Sequence, residues 1–312
     1  MSQSISLAGE SVITSILSTT APLSTTAPTT SVSVWTVADG DTGEEIASEV
    51  GVPFVVISQA NPTAVWTALS IGQVLDIPPS PTGVPTVTGS VAGGLLDLDA
   101  GSTSPQTTYV TYSGDGSSQD GWPAVDRWLA FRAAFENVRP HLGQDCVGGV
   151  AGNTEDETDQ VGQAILSVAQ VAQVDPRFIL AVVMQESTGC VRVPTTSSVH
   201  PNPGLMQSDQ GSGSCNANGT VSQPCPSDRI RQMIYDGTAG RVGSVSLVST
   251  LNQASGMGSQ ELAQVYYRSA RLYNSGPASL DTTLALDSGG STSSYASDVA
   301  NRLLGWISGH RT

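Results

Sequence analysis

Two parts of the chain carry regular patterns of apolar residues, and the two patterns predict different folds. Between residues 33 and 79, short strand-like runs stand at each end, at 34–37 and in the alternating stretch 71–77. A helix is predicted between them from three apolar residues that share one face: Ile46, Ala47 and Val50. Residues 55–60 fit a second helix, so the order strand, helix, helix, strand predicts a small α+β (βααβ) unit.

From about residue 119 to residue 312, apolar residues recur every three or four positions, which predicts a mainly α-helical domain. Asp175 followed by Pro176 marks the start of one helix, because Asp is a favoured N-cap and Pro suits the first helical turn. Further helices are predicted over these apolar stripes: 125–135, 161–172, 262–273 and 295–306. We therefore expect a multidomain protein with a small α+β module and a larger helical domain.

Residues 1–32 and 80–118 show no such periodicity and are rich in Ser, Thr and Pro. We interpret 1–32 as a flexible arm, open to O-glycosylation, because it lacks the apolar content of a core. Residues 80–118 are interpreted as a linker, within which 107–112 is a candidate strand that would pack on the helical domain. The first ten residues lack the basic and apolar regions of a signal peptide, so we expect a mature chain with an added Met.

The distribution of charged residues argues against two classes of binding protein. The chain has 12 basic residues, all of them Arg, against 27 acidic ones, and residues 1–118 contain no basic residue. Binding to nucleic acids and to anionic membranes depends on basic side chains, so neither is expected. The longest apolar run, 178–184, is far shorter than the ~20 residues of a membrane span. Charged residues are only 12% of the chain, and the Ser and Thr that replace them suit a secreted, extracellular protein.

Four cysteines, an even number in a chain of this composition, predict two disulfides. Four cysteines allow three pairings, of which the preferred one joins Cys146 to Cys190 and Cys215 to Cys225, closing a short loop. Buried free thiols are the alternative. A zinc site is not expected because there is no Cys-x-x-Cys and the three His show no ligand spacing. We predict no metal and no other cofactor.

Several separated motifs follow one another in the predicted α+β unit: Trp35-x-Val37, Gly40-Asp41-Thr42, Ile46-Ala47, Asn61-Pro62, and GQVLDIP at 72–78. In this order they resemble the lysin motif (LysM) family. The resemblance implies binding of N-acetylglucosamine polymers, peptidoglycan or chitin, in a groove between two loops. It assigns the glycan contacts to five residues: Gly40, Asp41, Thr42, Asn61 and Pro62. The alternative is that Gly-Asp-Thr only forms a turn and caps the following helix.

Glu186 is the candidate catalytic acid from the residues alone. It follows three apolar residues by seven, four and three positions: Ile179, Val182 and Val183. This spacing places Glu186 on the apolar stripe of its helix. A carboxyl group among apolar side chains has a raised pKa, as a general acid needs near neutral pH. Because a Glu near a helix end is more often a solvated surface residue, the neighbouring motifs have to decide its role.

Glu186-Ser187 is followed by Gly-Leu-Met-Gln at 204–207 and by Tyr-Asn-x-Gly at 273–276. Together these motifs resemble the goose-type lysozymes and the soluble lytic transglycosylases over residues 150–280. The resemblance implies a lysozyme-like fold and cleavage of the β-1,4 bond between N-acetylmuramic acid and N-acetylglucosamine, with Glu186 as general acid. It also implies four substrate-binding residues: Ser187, Gln207, Tyr273 and Asn274.

A second carboxylate distinguishes two reactions. Inverting hydrolysis needs a base about 6.5–9.5 Å from the acid, and Asp209 occupies the position of an Asp that the goose-type enzymes have. Those enzymes have another acid before Gly-Leu-Met-Gln; residues 187–203 contain none, so Asp209 is the only local candidate. Lytic transglycosylases need no base, because the muramoyl 6-hydroxyl attacks intramolecularly. We expect a secreted, monomeric muramidase; the alternatives are a lytic transglycosylase, a chitinase or a chitin-binding protein.

Overall fold

The computed structural model describes most of the chain from residue 33 onward. The described residues are 33–50, 52, 57, 60, 61, 63–66, 68–78, 84–91, 97–144, 146–197, 200–217, 219–240, 244–258, 261–276, 285–288 and 291–307. The predicted arm, residues 1–32, and the predicted glycan contact Pro62 lie outside this set.

The first described unit contains a two-stranded antiparallel sheet and a helix. Strand β1 (Ser33–Thr36) pairs with β2 (Val74–Ile77), and helix α1 (Gly43–Val50) lies between them in sequence. The unit has a small apolar core of its own, against which Trp35 and Trp66 pack: Val37, Ile46, Val52, Ile57, Leu75 and Ile77. The predicted strands and first helix are confirmed, whereas the second predicted helix, 55–60, lies mostly outside the described residues.

The described residues after 118 form a mainly helical structure. Its helices are α2 (Phe131–Leu142), α3 (Glu155–Ala172), α4 (Pro176–Ser187), α5 (Ser227–Thr238), α6 (Leu247–Ser255), α7 (Leu262–Ser275) and α8 (Tyr295–Leu303). Two antiparallel ribbons are short: β3 (Thr196–Ser197) with β4 (Pro201–Asn202), and β5 (Asn216–Ala217) with β6 (Thr220–Val221). Helix α4 is central, since α2, α3, α5 and α8 all pack against it. None of the helices in the described part of the chain is long and apolar enough to cross a membrane.

Side-chain caps fix where the central helices begin. The Asp175 carboxylate accepts a hydrogen bond from the Arg177 backbone N at 2.9 Å, and Pro176 occupies the first turn of α4, as predicted. Thr154 and Glu157 form a reciprocal capping box at the start of α3. These bonds satisfy backbone N–H groups that a helix cannot pair internally.

The helix predicted over 125–135 is wrong in its first half. Residues 125–127 form a 3-10 turn, Trp128 is extended, and α2 begins only at Phe131. The Trp128 ring is completely buried, and its Nε1 donates to the Tyr267 hydroxyl at 3.0 Å. Burial of this large ring against α7 outweighs the helical spacing of the surrounding apolar residues.

The predicted linker, 80–118, packs on the helical core in both of its described parts, 84–91 and 97–118. Three of its side chains are buried there: Val87, Val91 and Tyr112. The backbone of 107–112 forms no strand; side chains of α8 bind it instead. The predicted packing of 107–112 on the helical domain is therefore confirmed, whereas the linker interpretation is corrected for the other described residues. Isolated apolar residues in a polar stretch carry no periodic signal, yet a neighbouring surface can bury them.

Two disulfides are present, Cys146–Cys190 and Cys215–Cys225. The preferred pairing is therefore confirmed. The second disulfide closes the loop that carries β5 and β6, and it brings Cys225 beside the start of α3, where the Cys225 backbone N donates to Glu157 Oε1 at 2.6 Å. The two covalent links thus hold loops that border the helical core.

Candidate active site

Glu186 lies in the last turn of α4. The helix ends at the next residue, because Thr188 and Gly189 adopt left-handed backbone conformations with φ of 52° and 77°. A Cβ atom at Gly189 would lie 1.8 Å from Leu142 Cδ2, so only glycine allows this ending. The Glu186 side chain remains partly exposed at the end of an otherwise largely buried helix.

The Glu186 carboxyl group faces two groups of α8. The Tyr295 hydroxyl donates a hydrogen bond to Glu186 Oε1, and the Arg302 guanidinium supplies positive charge nearby. Burial raises the pKa of Glu186 to about 7, against the lowering effects of Tyr295 and Arg302. The raised pKa predicted from the apolar stripe is confirmed. The carboxyl group can therefore hold a proton near neutral pH, as a general acid requires.

Tyr273 ties α7 to the loop that follows α4. Its hydroxyl donates to the Met206 carbonyl O at 2.9 Å. Burial raises the pKa of Tyr273 above its ordinary value, and so do the negative charges of three carboxylates: Glu186, Asp236 and Asp209. Because charge effects weaken with distance, these acids lie around one phenol. The loop motif and the Tyr-Asn-x-Gly motif, which the sequence places far apart, therefore meet beside Glu186.

The loop of residues 203–209 has a tightly constrained backbone. Gly204 has a φ of 76°, and a Cβ atom there would approach Met233 Cγ to 2.5 Å. Gln207 has a φ of 44°, a left-handed conformation that few non-glycine residues adopt. Two completely buried side chains anchor the loop in the core: Leu205 and Met206. Core packing thus holds this strained turn in place.

The Gln207 side chain is bonded to the protein at both ends of its amide. Nε2 donates to the Gly204 O at 3.0 Å and to the Pro194 O at 3.3 Å. Oε1 accepts from the Thr196 hydroxyl at 2.6 Å and from its backbone N at 3.3 Å. Gln207 therefore joins the loop to the β3–β4 ribbon. The predicted contact with substrate stays a prediction, and one of these bonds would have to open for it.

Ser187 has a structural role. Its side chain is 2% exposed, and its Oγ lies 2.7 Å from the Leu205 O and 3.0 Å from the Val183 O. A buried hydroxyl with these partners does not reach a ligand. The predicted substrate contact is therefore corrected, and Ser187 connects the end of α4 to the following loop.

Asn274 holds the chain that leads into α8. Its Oδ1 accepts from the Thr292 backbone N at 3.0 Å and from the Ser275 hydroxyl at 3.1 Å. Arg271, buried in the same helix, donates to the carbonyl oxygens of Ser288 and Thr292, both at 3.0 Å. The predicted substrate contact of Asn274 stays a prediction. Its observed bonds position the segment just before Tyr295.

Asp209, the candidate base, lies at the accessible side of the loop. Its side chain is 32% exposed, and its Oδ1 is 3.4 Å from His200 Nδ1. It is also one of the carboxylates that act on Tyr273. The carboxylate of Asp209 is thus accessible to solvent, and its predicted role as the base stays a prediction.

Three residues of the site carried no signal of a functional role in the sequence. Tyr295 and Arg302 lie more than a hundred residues after Glu186 and marked only a helix. Asp236 accepts backbone hydrogen bonds from Ser212 at 2.6 Å and Gly213 at 2.8 Å, which fixes the chain next to the loop. Their roles follow from helix packing, which periodicity does not report.

In the N-terminal unit, Asp41 bonds to its own loop. Its Oδ2 accepts from the Ala38 backbone N and from Trp35 Nε1, both at 2.8 Å. The same two bonds lower the pKa of Asp41. Gly40 and Thr42 are exposed beside it, and Gly40 has a φ of 89°. Asp41 therefore shapes the turn, while its two neighbours face solvent where a glycan could contact them.

Asn61 bonds to the edge of β2. Its Nδ2 donates to the Ile57 O and the Asp76 O, and its Oδ1 accepts from the Asp76 N, each at 2.8 Å. The side-chain amide thus takes the place of a strand partner. The observed bonds are structural, and the predicted glycan contact of Asn61 stays a prediction.

Neither protein-family models nor curated proteins match this chain. The case for its function therefore depends on the residues and their geometry. Among the described residues, no group of three or more His, Cys, Asp or Glu side chains is placed to hold a metal ion.

We expect Tyr295→Phe to raise the pKa of Glu186 by roughly one pH unit, because a hydrogen bond to a charged group contributes about 1.5–3 kcal/mol. Glu186 would then stay protonated to higher pH, so the alkaline limb of the activity profile should move upward while the maximal rate falls. The pH dependence of the peptidoglycan cleavage that the sequence predicts measures both effects. Tyr235→Phe, at a partly buried tyrosine of α5, is the control. An alkaline limb that stays in place would exclude this role of Tyr295.

Proposed function

We propose that this protein is a secreted muramidase that cleaves the β-1,4 bond between N-acetylmuramic acid and N-acetylglucosamine in peptidoglycan. The observation that carries the proposal is Glu186. This carboxyl group is partly exposed at a helix end, has a pKa raised to about 7, and is held by the Tyr295 hydroxyl. Such a group can donate a proton to a leaving oxygen near neutral pH.

In the first step, the Glu186 carboxyl proton passes to the glycosidic oxygen as the bond from that oxygen to the muramoyl C1 breaks. The electron pair of the broken bond remains on the leaving oxygen, and the muramoyl ring acquires oxocarbenium character. Glu186 becomes a carboxylate, which the Tyr295 hydroxyl stabilises by its hydrogen bond. The pKa of Tyr295 is raised well above its ordinary value by burial, so this phenol stays a donor throughout.

In the second step, Asp209 takes a proton from water as the water oxygen bonds to the muramoyl C1. The product is a reducing muramic acid end; Asp209 then releases its proton to solvent, and Glu186 takes up a proton from solvent for the next cycle. The location of Asp209 on the loop after Gly-Leu-Met-Gln, with a partly exposed carboxylate, supports this assignment. The reaction needs no co-reactant other than water.

Product analysis by mass spectrometry of digested peptidoglycan tests the proposal. Hydrolysis leaves reducing muramic acid ends, one water heavier than the 1,6-anhydro ends that a lytic transglycosylase produces. Anhydro products would replace the hydrolase proposal by the transglycosylase alternative. Chitin oligomers as the only cleaved substrate would favour a chitinase, and retention on chitin without any product would favour a glycan-binding protein.

We expect Asp209→Asn to lower hydrolysis about a hundredfold, at the low end of the range for a general base. The structural reason is that an amide cannot accept the proton of water. Initial rates on purified peptidoglycan measure the loss, with Asp159→Asn at an exposed surface aspartate as control. Full activity of the Asp209→Asn variant would show that Asp209 is not the general base.

The N-terminal unit would serve as the anchor to the wall. Exposed Gly40 and Thr42, in a unit without basic residues, suit a neutral glycan of peptidoglycan or chitin. Two disulfides support a secreted, extracellular enzyme, since disulfides persist in oxidising compartments. Digestion of bacterial walls, an antimicrobial activity, is the function that this combination supports best.

A further inference from the structure

A segment that is neither helix nor strand, residues 105–112, runs along α8 and bonds to it through side chains. We name this segment the strap. Asn301 Nδ2 donates to the Val110 O at 2.7 Å, and Asn301 Oδ1 accepts from the Val110 N at 2.8 Å. The Tyr112 backbone N donates to the Ser297 hydroxyl oxygen at 3.0 Å. Side chains of a helix thus pair with this backbone as a neighbouring strand would.

Side chains and backbone extend the contact towards both ends of α8. The Tyr109 hydroxyl donates to Asp298 Oδ1 at 2.7 Å, and the Tyr109 ring lies 4.8 Å from the Trp306 ring. The Gln106 backbone N donates to the Leu304 O at 2.8 Å. The polar residues of α8 that face the strap are buried: Ser297, Asp298 and Asn301. Buried polar groups are costly without partners, so this face of α8 is stable only with the strap in place.

An adjacent face of α8 serves the acid. Tyr295 donates to Glu186, and Arg302 Nε donates to Gln185 Oε1 at 2.7 Å. Helix α8 is nine residues long, and a helix of that length is marginal without tertiary contacts. The position of the Tyr295 hydroxyl therefore depends on the contacts that hold α8 in place, among them those with the strap.

We propose that the strap is a positioning element of the active site, which holds α8 so that the Tyr295 hydroxyl stays on the Glu186 carboxylate. The expected kinetic effect rests on the proposed function; the contact itself does not. Groups on two helices act electrostatically with Glu186: Tyr295 and Arg302 from α8, and Tyr273 from α7. Burial is the largest effect on the pKa of Glu186 and raises it, whereas both α8 groups lower it. A small displacement of α8 that weakens these two contacts while the carboxyl group stays buried therefore raises the pKa.

The test uses the full chain with glutamate labelled at the carboxyl carbon. The chain has nine Glu, and Glu186→Gln identifies the Glu186 resonance in an NMR titration. Asn301→Leu removes both bonds to Val110 without adding charge. Tyr109→Phe removes the bond to Asp298 and the longer contact of the same hydroxyl with Ser297. Asn252→Leu is the matched control, because Asn252 of α6 binds the backbone of Thr86 and Thr88 in the same way, at 3.1 and 2.8 Å.

In Asn301→Leu, we expect the acid dissociation constant of Glu186 and the kcat on peptidoglycan each to fall about tenfold, with KM little changed. Tyr109→Phe should lower the acid dissociation constant of Glu186 and the kcat about threefold each. Asn252→Leu should leave both quantities unchanged. A folded Asn301→Leu protein with an unaltered Glu186 titration overturns the proposal. If Asn301→Leu does not unfold cooperatively, the Tyr109→Phe variant is used for the test instead. An unaltered Glu186 titration in Tyr109→Phe then overturns the proposal.

The titration needs no substrate, so the two proposals fail separately. A shifted Glu186 titration in a protein that cleaves no wall polymer would support the strap and reject the muramidase. Normal cleavage by Asn301→Leu with an unaltered Glu186 titration would reject the strap proposal and support the muramidase.

Discussion

Glu186→Gln should lower the rate of peptidoglycan cleavage on the order of a thousandfold or more. Glutamine keeps the shape of the side chain but has no proton to give to the glycosidic oxygen, and general acids contribute about 10²–10⁴-fold. The release of reducing ends from purified peptidoglycan measures the loss. Because the substitution also removes a partly buried carboxyl group with a raised pKa, the folded state should be as stable as the wild type or more stable.

Glu136→Gln is the matched control, since it makes the same change at an exposed position on α2. It should retain full activity. A Glu186→Gln protein that clears walls as fast as wild type would refute the assignment of the acid. Retention of the variant on peptidoglycan, compared with wild type, separates lost catalysis from lost binding, because the proposed glycan anchor lies in residues 33–79.

Arg192→Met should lower the free energy of unfolding by about 3–5 kcal/mol, because loss of one partner leaves a buried charge uncompensated. Arg192 is 0% exposed and pairs with Glu157 through two bonds, at 2.5 and 2.9 Å. Its guanidinium also donates to the Ala151 O at 3.1 Å. For a domain of this size the melting temperature should fall by roughly 6–20 °C. Thermal and urea unfolding measure the effect.

Arg139→Met is the control for Arg192→Met. Arg139 also pairs with carboxylates, but those of Glu136, Glu155 and Asp159 are all exposed. Exposed ion pairs contribute about 0–1 kcal/mol, so this variant should lose little stability. Equal losses in the two variants would show that burial does not decide the strength of these pairs.

The same buried pair predicts how stability changes with acid. Burial alone would raise the pKa of Glu157, but bonds from Arg192, Cys225 and Thr154 outweigh it and lower the pKa to about 2. An unfolded Glu has a pKa of about 4.3. The stabilisation is thus complete above about pH 4.3 and is lost as the pH falls towards 2, on the order of 3 kcal/mol. Arg192→Met should lose less stability between pH 4.3 and 2 than wild type, because the bonds from Cys225 and Thr154 remain.

Local features of the chain could be predicted where neighbouring residues decide them. The start of α4 follows from Asp175-Pro176, and the environment of Glu186 follows from apolar residues three, four and seven positions earlier. The cysteine pairing was the preferred one of three, and both of its disulfides are present. In each case the chemistry is contained within a single helix or loop, or limited to a small set of pairings.

Other predictions failed because distant residues decide them. The chain at 84–91 and 97–118 reads as a linker, since its apolar residues are isolated, and packing on the helical domain was predicted only for 107–112. Val87 and Val91 are nevertheless buried against the helical core. Ser187 belongs to a motif that predicts a substrate contact, but its hydroxyl is buried and bonds to the Leu205 O in the following loop. Trp128 fits a helical stripe, and its burial against Tyr267 holds it in an extended conformation.

The sequence by itself determined the identity of the candidate acid, the start of its helix and an N-terminal unit without basic residues. Periodicity reports which face of an element is buried, and capping depends on residues a few positions apart. Only the tertiary structure decided which groups meet that acid. Tyr295 and Arg302 reach Glu186 through the packing of a helix far away in sequence, and Asp236 acts on Tyr273. Their hydrogen bonds depend on the positions of whole helices, which no local pattern encodes.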